Sequence, residues 1–150
     1  MFSKTIHKKT FLELTNQELY EILDLRATVF IIGQDIIYVD TDHKDQASMH
    51  YFIKDNDVIV AYCRVLPPGL RYLEHTVSRI ATLEAYRNYG FATALMHEVM
   101  RDLPGLPIRI SGQAYLKPYY EKLGFKTIKG PYIEEDIWHY EMLYEPLKKA

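Results

Sequence analysis

The stretch from Thr76 to Leu103 constrains the fold more than any other part of this 150-residue chain. Thr76–Thr82 is dense in β-branched residues and contains no proline, which predicts a strand. Apolar side chains then recur at helical spacing, at Ala92, Leu95, Met96, Val99 and Leu103. Pro107–Ser111 is predicted as a further short strand. The order strand, helix, strand predicts an α/β fold in which these two strands pair in parallel through a right-handed crossover.

The turn between the first strand and the helix contains Arg87 and Gly90. A glycine lets a ligand approach the backbone, and the first N–H groups of a helix lack intrahelical partners. These donors and the helix dipole favour an anion such as a phosphate or pyrophosphate, and Arg87 adds a full charge. The alternative is that Gly90 only tightens the turn and Arg87 is a solvated charge. The turn has neither the Gly-Lys-Ser/Thr of a Walker loop nor the three glycines of a dinucleotide fingerprint.

Several motifs in this order resemble one known family. Ile80-Ala81-Thr82 followed by Arg87-x-x-Gly90-x-Ala92 resembles the acyl-CoA pyrophosphate loop of the GNAT (Gcn5-related) N-acetyltransferases. The segments Gln113–Tyr115 and Tyr120–Phe125 resemble that family's second conserved region. Four further features resemble the ElaA-like subgroup of this family. They are Leu25-Arg26-x-x-Val29-Phe30, Gln34, Tyr38-x-Asp40-x-Asp42-x-x-Asp45 and His139-x-x-Met142. The resemblance covers about residues 12 to 143.

The resemblance implies one acyl-CoA N-acyltransferase domain over residues 1–150, with a mixed, mostly antiparallel twisted sheet flanked by helices. It also implies that the parallel strands splay apart so that the pantetheine arm of CoA lies between them. The expected activity is transfer of an acetyl group from acetyl-CoA to a primary amine. Because no convincing nucleophile is visible, we expect direct attack in a ternary complex. The alternatives are a longer acyl group, or a non-catalytic domain that binds acyl-CoA or a partner. The cofactor-binding residues implied are Ile80, Ala81, Thr82, Arg87, Asn88, Tyr89, Gly90, Phe91, Ala92, Thr93, Gln113 and Tyr120.

The resemblance assigns catalytic roles to Tyr120 and His139. Tyr120 takes the position of a tyrosine near the CoA sulfur, where a phenol protonates or stabilises the leaving thiolate. His139 takes a position that faces the acceptor pocket, and histidine is the side chain most suited to accepting a proton at neutral pH. It would take this proton from the substrate ammonium, directly or through water, with Glu135 or Glu141 assisting. The alternative for each is structural: Tyr120 packs its ring, as Tyr119 would, and His139 is an ordinary strand residue.

The same resemblance places the acceptor amine against Arg26, Phe30, Gln34, Tyr38 and His139. Arg26 lies on the apolar stripe of its helix, and a buried guanidinium needs an anionic partner. That partner is either a structural carboxylate, Asp40 or Asp45, or the substrate. Gly33 departs from the subgroup, which usually has glutamate at this position.

The acidic segment Asp40–Asp45 allows more than one interpretation. A carboxylate-lined pocket would suit a cationic amine. A calcium loop counted from Asp40 fails, because Lys44 falls at a ligand position, Asp45 replaces the required glycine and Tyr51 replaces the final glutamate. A transition-metal site that includes His43 and His50 stays open, although carboxylates in a loop are usually solvated. We expect no metal cofactor.

Composition favours a soluble cytoplasmic protein without nucleic-acid or membrane partners. The chain has 18 basic and 20 acidic side chains, so it lacks the basic excess that is typical of a nucleic-acid-binding protein. It has one cysteine, Cys63, predicted to be core packing, and no apolar run of signal-peptide or membrane-spanning length. The expected partner is a small-molecule or peptide amine, and the protein is a monomer or homodimer.

The remaining patterns predict the elements around this centre. Thr15 and Glu18 form a capping box that begins a helix. Two strands join in a hairpin around Asp55–Asp57. The other predictions are an edge strand at Phe11–Leu14, a helix at Ala114–Leu123 that ends at Gly124, and strands at Phe125–Lys129 and Ile137–Leu143. A break at Gly130-Pro131 and a loop at residues 134–136 separate these last two strands.

Overall fold

The computed structural model describes residues 4–146. Its strands are β1 Ile6–Thr10, β2 Met49–Asp55, β3 Val58–Leu66, β4 His75–Thr82, β5 Ile108–Gln113, β6 Phe125–Glu134 and β7 Ile137–Tyr144. Its α-helices are α1 Asn16–Arg26, α2 Phe91–Asp102 and α3 Lys117–Lys122. A π-helical segment, Ala27–Ile32, continues α1, and short 3₁₀ turns occur at Phe11–Glu13, Asp45–Ala47, Glu84–Tyr86 and Ala114–Leu116.

The described strands form one seven-stranded sheet in the order β1-β2-β3-β4-β5-β7-β6. All neighbouring pairs are antiparallel except β4 and β5, which run parallel on either side of the α2 crossover. The predicted mixed sheet and its parallel strand pair are confirmed. The parallel ladder is short, because it joins only His75 to Ile108 and Thr76 to Arg109.

Helices cover both faces of this sheet. On one face, Ile22 and Leu25 of α1 pack on Phe52, Ile59 and Tyr62. On the other face, the buried stripe of α2 packs over β2, β3 and β5 in a larger cluster that includes Leu95, Met96, Val99, Ile53, Val60, Cys63 and Ile110. Cys63 is fully buried, which raises the pKa of its thiol, so it is a core residue as predicted. No helix in the described part of the chain is long and apolar enough to cross a membrane.

Two predicted strand boundaries are wrong. The edge strand is β1, which ends at Thr10, and Phe11–Glu13 forms a 3₁₀ turn in which the Glu13 carboxylate accepts the Thr10 N–H at 2.9 Å. The second error is the break at Gly130-Pro131, since β6 runs through it to Glu134. Pro131 is tolerated because β6 is an edge strand, and register shifts between Thr127 and Tyr132 absorb the irregularity.

The capping box that begins α1 is confirmed, and it extends into an ion cluster. Thr15 Oγ1 accepts the Glu18 N–H, and the Glu18 carboxylate accepts the Thr15 N–H, both at 3.0 Å. Glu18 also accepts from Lys9 Nζ at 2.8 Å and from Lys54 Nζ at 3.1 Å. Burial alone would raise the pKa of Glu18, but these donors lower it from 4.5 to about 2.

This lowered pKa predicts a pH-dependent contribution to stability. A carboxyl group whose pKa is lower in the folded than in the unfolded state stabilises the fold above its unfolded pKa. We therefore expect the wild-type protein to exceed Glu18→Gln in free energy of unfolding at neutral pH. The difference should shrink as the pH falls from about 4.5 towards 2. Urea unfolding of both proteins over a pH series measures it, and a difference that stays constant across this window would contradict the assignment.

Candidate active site

A cavity of about 1020 Å³ opens where β4 and β5 separate. Beyond Thr76 and Arg109 the two strands share no ladder, and the cavity is lined on the β4 side by residues 77–82 and on the β5 side by Ile110, Ser111 and Gln113. The register between β3 and β4 shifts beside Arg64, and Arg79 has a positive φ of 54°. A bulge of this kind bends the strand, so it accounts for the divergence of β4 from β5.

The amino end of α2 lies at one end of this cavity. Gly90 is the N-cap, with φ +81°, and provides no side-chain cap. The first intrahelical bond runs from the Ala94 N–H to the Gly90 carbonyl at 3.0 Å, so the N–H groups of Ala92 and Thr93 precede the helical ladder. Arg87 Nε donates to the Thr82 carbonyl at 3.1 Å, which holds its guanidinium beside the turn. The arrangement combines helix-terminal donors with a nearby positive charge, the requirement for binding a phosphate group.

Tyr120 lies on α3 at the floor of the cavity. Its ring is buried and packs edge-on against Tyr119 and Phe125, with centroid distances of 5.4 Å and 6.0 Å. A Cβ at Gly112 would lie only 2.8 Å from the ring, so the glycine on β5 makes room for this aromatic side chain. No described residue exchanges a hydrogen bond with the Tyr120 hydroxyl, and burial raises the pKa of this phenol. It therefore stays protonated and able to donate.

His139 projects from β7 into the same cavity. Nδ1 lies 2.7 Å from the Ile137 carbonyl oxygen. A carbonyl only accepts, so Nδ1 carries a proton and the neutral ring has its lone pair on Nε2. That atom lies 3.7 Å from Glu134 Oε2 on β6. The tautomer is the one in which Nε2 can accept a proton.

The acidic segment between α1 and β2 is an ion network with arginines from three elements. Asp40 accepts from Arg26 Nε and Arg79 Nε, both at 2.8 Å, and Asp45 accepts from Arg26 Nη1 at 2.7 Å. Arg64 donates to Asp42 and, at 2.9 Å, to Asp45. Burial alone would raise the pKa values of Asp42 and Asp45, but the arginine contacts outweigh burial and hold both pKa values below those of a free aspartate.

This network corrects two expectations for the segment. Asp40 and Asp45 are buried rather than solvated, and each aspartate is paired with arginine, so the segment does not give the pocket a net negative wall. No group of three or more metal-ligating side chains occurs within residues 4–146. His50 is committed to the Tyr62 hydroxyl and the Asp45 carbonyl, at 2.6 Å and 2.9 Å.

Residues 29–146 match the acetyltransferase (GNAT) domain family, and their fold shows the splayed parallel pair described above. The chain belongs to the GNAT family. A UPF0039 protein of Synechocystis is 34% identical over 139 residues, which span 89% of this chain and 90% of that protein. The protein ElaA of Escherichia coli is 30% identical over 142 residues, 91% of this chain and 93% of its own length. This GNAT protein therefore falls in the ElaA-like group.

Two solved structures show the same architecture. An acyl-CoA N-acyltransferase from Pseudomonas aeruginosa has a TM-score of 0.86 and 29% identity, and the match covers 93% of this chain and 99% of that one. The ElaA crystal structure has a TM-score of 0.84 and 31% identity, and covers 94% and 99% of the two chains. The GNAT fold supports an acyl-CoA-dependent transferase.

Most of the predicted site residues line this GNAT cavity. From the cofactor set these are Ile80, Ala81, Thr82, Arg87, Asn88, Gly90, Phe91, Ala92, Thr93, Gln113 and Tyr120, and from the acceptor set Phe30, Gln34, Tyr38 and His139. Gln34 Nε2 donates to Gln113 Oε1 at 3.0 Å, so the segment after α1 is tied to β5. The Tyr38 hydroxyl donates to Asp40 at 3.0 Å.

Two of the predicted residues lie outside the cavity lining. Tyr89 is 54% exposed, and its side chain is not part of the described wall. Arg26 is 0% exposed, so its guanidinium has no surface with which to contact an acceptor. Its partners are the carboxylates Asp40 and Asp45. The assignment of Arg26 to substrate binding is therefore corrected in favour of the structural ion pair.

Gly33 lies where the backbone leaves no room for a side chain. It lines the cavity, and an added Cβ would lie 2.8 Å from the Val29 carbonyl oxygen and 3.0 Å from that of Thr28. Its N–H donates to the Thr28 carbonyl at 2.8 Å, the i to i−5 spacing of a π-helix. A side chain at this position would require the backbone to shift, so the π-helical backbone here depends on glycine.

No sequence pattern indicated several polar residues that line the cavity wall. These are Arg64, Arg71, Ser78, Arg79, Ser111 and Glu134. Arg71 follows the Pro67-Pro68-Gly69 turn and Glu134 lies in a stretch predicted as a loop. Only the pairing of β6 with β7, together with the β3–β4 connection, brings them to the cavity, and no local pattern marks this.

Proposed function

We propose that this GNAT protein transfers an acetyl group from acetyl-CoA to a primary amine by direct attack in a ternary complex. The observation that carries the proposal is the continuity of the cavity from the α2 amino end to Tyr120 and His139. One end suits a pyrophosphate, the splayed strands suit an extended pantetheine arm, and the other end holds an acid and a base. The identity of the Pseudomonas relative as an acyl-CoA N-acyltransferase agrees with this arrangement.

In this proposal the pyrophosphate binds at Gly90, Ala92 and Thr93, with Arg87 beside it. The amides of pantetheine bond the β4 backbone at Ile80 and Thr82, on the edge where the ladder with β5 has ended, in the manner of an added strand. The remaining cavity residues of the predicted cofactor set enclose the arm, and Phe30, Gln34 and Tyr38 flank the acceptor. Catalysis rests mainly on proximity and on backbone donors that polarise the thioester carbonyl.

The chemical step uses Tyr120 and His139 as smaller contributions. The amine nitrogen forms a bond to the thioester carbon, and the C–S bond then breaks with its electron pair on sulfur. The proton of the nitrogen passes to His139 Nε2, directly or through water. Tyr120 donates a hydrogen bond to the leaving thiolate, which takes its proton from the phenol or from solvent. Because burial raises the pKa of Tyr120, hydrogen-bond stabilisation outweighs full proton transfer.

The direct test combines binding with turnover. Acetyl-CoA is titrated into the protein in a calorimeter, and the complex is then incubated with a panel of amines, including polyamines, amino acids and lysine peptides, while free thiol is measured. Binding followed by thiol release supports transfer and begins to define the acceptor. Binding without release from any amine contradicts transfer and favours a non-catalytic acyl-CoA-binding domain. No binding contradicts both.

Tyr120→Phe tests the proposed acid. The substitution keeps the ring that packs on Tyr119 and Phe125 and removes only the hydroxyl. We expect kcat to fall roughly 100-fold, a typical contribution of acid–base catalysis, while the dissociation constant of acetyl-CoA changes little. The matched control is Tyr140→Phe, which removes a hydroxyl from β7 outside the cavity lining and should leave kcat unchanged. An unaltered kcat in Tyr120→Phe would show that Tyr120 serves only in packing.

A further inference from the structure

Glu134, the last residue of β6, is held by residues from three other parts of the chain. Its Oε1 accepts from Arg71 Nη2, in the β3–β4 connection, at 2.7 Å. Its Oε2 accepts from Ser111 Oγ on β5 at 2.7 Å and lies 3.7 Å from His139 Nε2 on β7. All four residues line the cavity. The carboxylate is therefore fixed in position beside the proposed base.

A second chain of hydrogen bonds fixes the neighbouring hydroxyls. Because a carboxylate only accepts, the Ser111 proton points to Glu134, and the Tyr132 hydroxyl, 2.6 Å from Ser111 Oγ, is then the donor to serine. The Tyr132 ring stacks on the His139 ring, with a centroid distance of 6.1 Å and an interplanar angle of 19°. The same residues thus orient both the carboxylate and the imidazole.

Glu134 is ionised in this setting. Its partial burial favours the neutral acid, but the Ser111 hydrogen bond and the positive charge of Arg71 outweigh burial and lower the pKa of Glu134. The proton on Nδ1 is fixed by the Ile137 carbonyl, so the Nε2 lone pair of neutral His139 faces a carboxylate oxygen. The Glu134 carboxylate is therefore placed to form an ion pair with the ring once Nε2 carries the proton from the amine.

We propose that Glu134, held by Arg71 and Ser111, is a positioning residue that stabilises the His139 imidazolium formed when the acceptor amine loses its proton. The inference rests on the proposed function, since it requires amine acetylation with His139 as base. The proton that leaves nitrogen is held on Nε2, 3.7 Å from the carboxylate oxygen, and passes to solvent after the product departs. No additional reactant is needed.

The test is Glu134→Gln, which keeps the size of the side chain and an oxygen that can accept from Ser111 or Arg71 but removes the charge. We expect kcat for the best acceptor to fall roughly 10- to 100-fold, part of the usual contribution of a general base. The KM for the amine and the dissociation constant of acetyl-CoA should stay within about twofold, because the interaction is made in the transition state. Glu134→Asp retains the charge and is expected to keep more of kcat than Glu134→Gln.

The matched control is Asp136→Asn, which removes one negative charge from the same β6–β7 turn. Asp136 has a positive φ of 60°, a conformation that asparagine tolerates, and it does not line the cavity. Its kcat should equal that of the wild type. A wild-type kcat in Glu134→Gln overturns the inference alone, as does a raised amine KM with unchanged kcat, which would make Glu134 a binding residue. Absence of transfer by the wild-type protein overturns the proposed function and this inference with it.

Discussion

Gly90→Asp is expected to weaken acetyl-CoA binding at least 100-fold, a loss of about 3 kcal/mol in binding free energy. A side chain is strained at φ +81°, and a carboxylate at this position would lie beside the first-turn N–H groups of α2 that the phosphate is proposed to use. A Cβ at this position would also lie 3.2 Å from Lys4 Nζ, so the new carboxylate would pair with that cation as well. The same negative charge would repel the pyrophosphate. Calorimetric titration with acetyl-CoA measures the effect.

The control for this substitution is Gly105→Asp. Gly105 lies just after α2 with φ +74°, close to the +81° of Gly90, and an added Cβ would meet nothing within 4 Å. It introduces the same charge and a similar backbone strain outside the cavity lining. Acetyl-CoA should bind Gly105→Asp with wild-type affinity. If Gly90→Asp also bound acetyl-CoA with wild-type affinity, the phosphate groups would not bind at this helix end.

The elements that sequence patterns predicted well are those fixed by local interactions. The run of β-branched residues before Arg87 and the apolar stripe after Gly90 each determine one element, and the observed β4 and α2 agree with them. The hairpin of β2 and β3 turns at Asn56 and Asp57, both with positive φ, as their short polar side chains allow. The splayed strands came from the family resemblance, since no single-strand pattern encodes the space between two strands.

The failures occur where distant parts of the chain decide the structure. Pro131 usually ends a strand, but its position on the outer edge of the sheet lets β6 continue, and edge position is a property of the complete sheet. The acidic segment is typical of a solvated loop, yet arginines from α1, β3 and β4 converge on it. Glu134 lies near His139 because β6 pairs with β7, which is again a contact between separate elements of the sheet. Charged residues acquire their role from partners that are far apart in sequence.

Arg26→Met is expected to lower the free energy of unfolding by roughly 3–5 kcal/mol, the usual cost of removing one partner from a buried ion pair. Arg26 is fully buried, and its Nε and Nη1 atoms donate to Asp40 and Asp45 at 2.8 Å and 2.7 Å. Methionine preserves much of the apolar volume of arginine. The loss of unfolding free energy would therefore report the cost of leaving two buried carboxylates, Asp40 and Asp45, with fewer hydrogen-bond donors. Urea unfolding, with the midpoint and slope determined separately, measures it.

A matched substitution distinguishes this effect from a general sensitivity to lost charge. Arg101→Met removes an arginine whose side chain is 71% exposed and which pairs with Glu98 at 2.9 Å on the surface of α2. Exposed pairs contribute at most about 1 kcal/mol, so Arg101→Met should be nearly as stable as the wild type. If Arg26→Met were equally stable and instead raised the KM of the amine, Arg26 would contact the acceptor in solution. The network would then be part of the substrate site. Retained KM with lost stability would instead establish the Arg26 network as the support that holds the loop bearing Tyr38 and Asp42 against the cavity.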